Sequence, residues 1–130
     1  MTRLQQLDNK TLIKSISKRT DLEREQLAEF LEYVAEIDAR RLWAEEAYSS
    51  MHVFLTSRLG FSDPTASKRV SVARAARKFP LLLKTIRSGA LHLTGAHLLA
   101  KHLTRESHVE LIEWSKGLSL IHISEPTRPY

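Results

Sequence analysis

Ser67, Ser71, Arg74 and Lys78 recur at intervals of four, three and four residues. At about 100° per residue, that spacing aligns them as one narrow stripe on a helix. Two hydroxyls and two cations in a row suit contact with phosphate oxygens or base edges, since hydroxyls donate hydrogen bonds and arginine can donate two in parallel. Lys68 adjoins the stripe. Arg69 and Arg77 lie toward its apolar flanks, where an intramolecular ion pair, with Asp38 for example, competes with a phosphate contact. The candidate nucleic-acid contacts are therefore Lys68, Ser71, Arg74 and Lys78, with Arg69 and Arg77 behind them.

Charge supports the same segment. From Met51 to Gly89 there are eight basic residues against one acid, Asp63, whereas residues 1–50 hold eight basic against ten acidic groups. The whole chain of 130 residues carries a formal charge of +5. Cations concentrated in this way favour a polyanionic partner, because they displace condensed counterions from phosphates. A solvated helix with ordinary surface cations has the same composition, so both readings stand at this level.

Other chemistries find no residues to carry them. Cysteine is absent, which excludes a disulfide frame, a thiolate metal site and a thiol nucleophile. There is no Gly-rich phosphate loop, no G-x-S-x-G elbow and no H-E-x-x-H. His92, His97 and His102 recur every five residues, which scatters them around a helix instead of aligning metal ligands. No apolar run approaches a membrane span, and the N-terminus lacks the apolar core of a signal peptide. The expected setting is cytoplasmic.

The elements that must hold the stripe are helical. Four glycines and four prolines in 130 residues, with abundant Leu, Ala, Glu, Lys and Arg, predict an all-α domain of about six or seven helices. Asp8 caps a short helix ending near Arg19. Thr20-Asp21-Leu22-Glu23 has the pattern of a capping box and predicts a second, long helix over Asp21–Arg41. Ser49 or Ser50 starts a short helix closed by Gly60. Ser62 caps the basic helix, which stops at Phe79 before Pro80. Together these make a helix-turn-helix-like pair. Thr94 and Thr104 cap two further helices.

Leu118 to Arg128, LSLIHISEPTR, abandons helical periodicity after Gly117. It resembles the translation of a transposase mosaic-end adapter used in sequencing libraries. Residues 1–117 are thus expected to be the native all-helical domain and 118–130 a non-native tail, leaving Leu111, Ile112 and Trp114 partly exposed.

A broader likeness rests on several motifs. They are Asp38-Ala39-Arg40-Arg41, Tyr48-Ser49-Ser50, Leu59-Gly60, the run from Arg69 to Pro80 (RVSVARAARKFP), Leu91-His92-Leu93 and His102-Leu103-Thr104. Over roughly residues 5–117 the chain resembles the N-terminal helical domain of bacterial HNH endonuclease-family proteins. The resemblance implies a nuclease module downstream, with paired histidines and an asparagine around a divalent cation. No residue of this chain matches that motif, so no catalytic residue, metal ligand or cofactor is expected here. DNA is the expected partner. A homo-oligomer is compatible, and neither a membrane nor a small-molecule ligand is indicated. The alternatives are a helical protein-interaction or dimerisation module and a helix-turn-helix regulator.

Overall fold

The basic helix occupies the middle of the molecule, with other helices packed around it. A computed structural model describes residues 2–121, with side chains for residues 2–116. The described residues form seven α-helices and no strand: α1 (Asn9–Arg40), α2 (Leu42–Glu45), α3 (Met51–Val53), α4 (Asp63–Lys78), α5 (Pro80–Ser88), α6 (Leu93–Ala100) and α7 (His108–Ile121). A 3₁₀ turn over Leu4–Gln6 precedes α1, and a π-helical turn over Phe54–Arg58 extends α3.

α4 packs against α1, α3, α5 and α6. Its small residues permit this. Ala66, Val70, Val72, Ala73, Ala75 and Ala76 are all buried, so neighbouring backbones approach closely on two faces. Leu31, Met51, Leu55, Leu82, Ile112 and Val72 fill the spaces between helices and are the largest fully buried side chains.

The helix-turn-helix-like pair forms as its local chemistry dictates. Ser50 Oγ accepts the Val53 N–H at 3.0 Å, and Ser62 Oγ accepts the Thr65 N–H at 3.3 Å. Between them Gly60 turns the chain at φ 78°, in the left-handed region that glycine enters without a Cβ penalty. α4 ends where Phe79 leaves helical geometry, at φ −128° and ψ 85°, before Pro80, the first residue of α5.

The N-terminal region differs from the expected break near Arg19. α1 runs through as one helix, Asn9–Arg40. Instead of capping a new helix, Thr20 Oγ1 donates to the Ile16 carbonyl at 3.0 Å, and Ser17 Oγ donates to Ile13 in the same way. A threonine can satisfy its hydroxyl inside a helix by this back-bonding, and no glycine or proline interrupts the run.

One consequence is a projecting arm. The buried residues of α1 are Ala28, Leu31 and Val34, and nothing from Asn9 to Glu23 is buried. At about 1.5 Å per residue, this uncovered stretch extends roughly 22 Å.

At the other end, Thr104 Oγ1 accepts the Ser107 N–H at 3.0 Å ahead of α7. Ile112 of α7 is fully buried, whereas Trp114 stands 62% exposed. The expected boundary after Gly117 falls inside α7, whose backbone continues to Ile121. Residues 122–130, the remainder of the adapter-like tail, lie outside the described residues. No described helix is long and apolar enough to cross a membrane.

Candidate nucleic-acid interface

Five arginines lie between Met51 and Gly89, and the fold uses every one of them internally. Arg74 makes a bidentate contact, Nε to Asp38 Oδ2 at 2.7 Å and Nη2 to Oδ1 at 3.0 Å. Arg77 donates to Glu36 at 3.0 Å, and Arg40 reaches the same carboxylate at 2.8 Å. Arg87 bridges Glu25 at 3.1 Å and Glu32 at 3.3 Å. Arg58 pairs with Glu46 at 3.0 Å. The acidic C-terminal half of α1 is therefore a rail to which α4 and α5 are fastened, by the bidentate Arg74 fork that lysine cannot reproduce, the single Arg77 contact and the Arg87 bridge.

Arg69 is held differently. Its guanidinium carbon lies 4.9 Å from the ring centroids of both Phe30 and Phe61, and its buried Nε has no hydrogen-bond partner among the described residues. The two rings meet edge to face, 5.5 Å apart. Attraction to the aromatic faces offsets part of the desolvation of this cation, and burial lowers its pKa from the usual arginine range.

The electrostatics follow these contacts. The Arg74 hydrogen bonds hold the Asp38 carboxyl below its ordinary range against the opposing effect of burial, with the Trp43 indole and Arg41 adding smaller contributions. Asp38 in turn raises the pKa of Arg74. Arg77 and then Arg40 lower Glu36 in the same manner.

Three of the six candidate contacts thus have intramolecular roles. Arg69, Arg74 and Arg77 secure α4, and it is Arg74, rather than Arg69 or Arg77, that takes Asp38. Of the other three, Lys78 alone is exposed, and Lys68 is partly buried. Lys68 Nζ donates to Thr94 Oγ1 at 3.2 Å and has no carboxylate partner among the described residues. Ser71 is half-buried. Lys78 is exposed and forms no ion pair among the described residues.

Ser71, Arg74 and Lys78 are brought together along one wall of a groove of about 460 Å³ between α4 and the end of α6. Lys101 completes the rim, and Ala75, Phe79, Ala100 and Leu103 supply an apolar floor. Phe79 is braced by the His108 ring at 4.6 Å. Lys101 escapes a sequence reading confined to the stripe, because only the turn after α6 carries it across to α4.

Among the described residues no cluster of three or more His, Asp or Glu side chains could hold a metal ion. No family model, curated protein or solved structure matches the chain.

Proposed function

We propose that this chain is a DNA-engaging or positioning domain from the N-terminal part of a bacterial HNH endonuclease-family protein acting in the cytoplasm. In this reading the cleavage chemistry and its divalent metal belong to a module outside the chain. The observation that carries DNA contact is the division of labour among the cations. The five arginines between Met51 and Gly89 are consumed in holding the helices together, while Lys78 and Lys101, which line one groove with Ser71, form no ion pair among the described residues. Flexible ammonium groups placed in this way serve as phosphate contacts without a demand for base identity. The HNH resemblance supplies the nuclease setting.

The test is titration of the full chain against a fluorescent duplex of about 20 base pairs over a range of salt. Replacing Lys78 and Lys101 together by alanine is expected to flatten the slope of log affinity against log salt by about 1.8. An unchanged slope overturns the groove as the contact surface. A second reading, a protein-interaction module, is favoured by Leu98, Val109 and Trp114, which stand exposed on α6 and α7. It predicts no DNA affinity at low salt and self-association that depends on protein concentration.

A further inference from the structure

The arm of α1 has a charge pattern opposite to that of the rail it leads into. From Asn9 to Thr20 there are four cations (Lys10, Lys14, Lys18 and Arg19) and no acid, whereas Asp21 to Asp38 contains seven acids and one cation. Four of those acids, Glu25, Glu32, Glu36 and Asp38, are occupied by arginines of α4 and α5. None of the four arm cations has a carboxylate within ion-pair distance among the described residues, and all four are exposed.

Their placement works against the helix that bears them. Lys10 sits in the first turn, where the helix dipole favours acids, and α1 has no acid in that turn. Lys10, Lys14 and Lys18 are spaced by four residues, so each ammonium faces a like charge one turn away, which destabilises an isolated helix. Among the described residues, none buries the arm by the tertiary packing that would compensate. Violations of local preference are expected at functional or strained sites.

We infer that the Lys10–Lys14–Lys18 row on the projecting α1 arm is a second contact surface for the phosphate backbone of duplex DNA. The inference rests on the DNA-engaging reading above and adds a surface to it. Four helical residues rise about 6 Å, close to the spacing of alternate phosphates, since one strand presents a charge every ~3.4 Å along the duplex axis. On the arm, the row faces roughly opposite the exposed stripe of Leu12, Ile13 and Ile16, so a duplex lying on the lysines need not cover the apolar side.

The experiment uses the full chain with Lys10→Gln, Lys14→Gln and Lys18→Gln combined, titrated with duplexes of two unrelated sequences. The slope of log affinity against log salt should fall by about 2.7, equally for both sequences. Helix content and melting temperature should not decrease, because the replaced side chains are exposed and mutually repulsive. A wild-type slope in the variant overturns the arm and leaves the groove standing when Lys78→Ala with Lys101→Ala still flattens it. Absence of wild-type binding overturns both. Loss of binding caused by a dimer-to-monomer transition in sedimentation overturns the arm in favour of self-association.

Discussion

Replacing Leu31 by alanine is expected to destabilise the domain by about 3 kcal/mol, whereas Ile16→Ala, earlier on the same helix, is expected to change stability by less than about 0.5 kcal/mol. The two side chains have similar chemistry and lie on the same broad side of α1. Leu31 is 1% exposed within the core formed by α1, α4 and α5, while Ile16 is 64% exposed on the arm. Truncation at Leu31 leaves a cavity that close-packed neighbours cannot refill. At Ile16 it removes an aliphatic group already in water and introduces a better helix former. Urea unfolding of the two variants measures the difference. Comparable losses would mean that the arm is packed in solution, against the fold described above.

Asp38→Asn is expected to move stability and DNA affinity in opposite directions. The carboxylate is 15% exposed but its partner Arg74 is 58% exposed, so solvent screening reduces the loss to about 1 kcal/mol at neutral pH. The sign with pH follows from the lowered Asp38 pKa. The pair contributes fully above the ordinary carboxylate value of 3.8 and is lost as pH falls through the depressed folded value. Wild type and variant should therefore differ above about pH 5 and converge in acid, as read by thermal melts across pH. In binding, the freed Arg74 stands in the groove beside Lys78. One added phosphate contact is expected to tighten duplex affinity roughly tenfold at ~50 mM salt. Unchanged affinity would remove Arg74 from the interface.

The parts of this fold legible in the sequence are those set by neighbours within a few residues. Ser50, Gly60, Ser62 and Pro80 act through local hydrogen bonds and fixed dihedrals, and each bounds an element where its chemistry requires. The inward face of α4 follows from its apolar spacing for the same reason. Thr20 shows the limit of such reasoning. Its capping-box pattern is compatible with a helix start, yet its hydroxyl is equally satisfied within a continuous helix, and no glycine or proline nearby forces a break.

The candidate site was harder to read, because a cation's availability depends on acids distant in sequence. Arg74 meets Asp38 and Arg87 meets Glu25 only after α4 and α5 have packed along α1. The arm lysines were concealed by a different averaging. Counted over residues 1–50, the charges nearly cancel, although the cations before Asp21 and the acids after it lie on separate halves of one helix.

If the lysines without an ion pair among the described residues bind duplex DNA, as proposed above, binding by the unaltered chain falls steeply with salt. Five lysines, two on the groove and three on the arm, predict a log–log slope near −4.5, or about 500-fold weaker binding between ~50 and ~200 mM salt. A slope near zero, or no binding at ~50 mM, would contradict it.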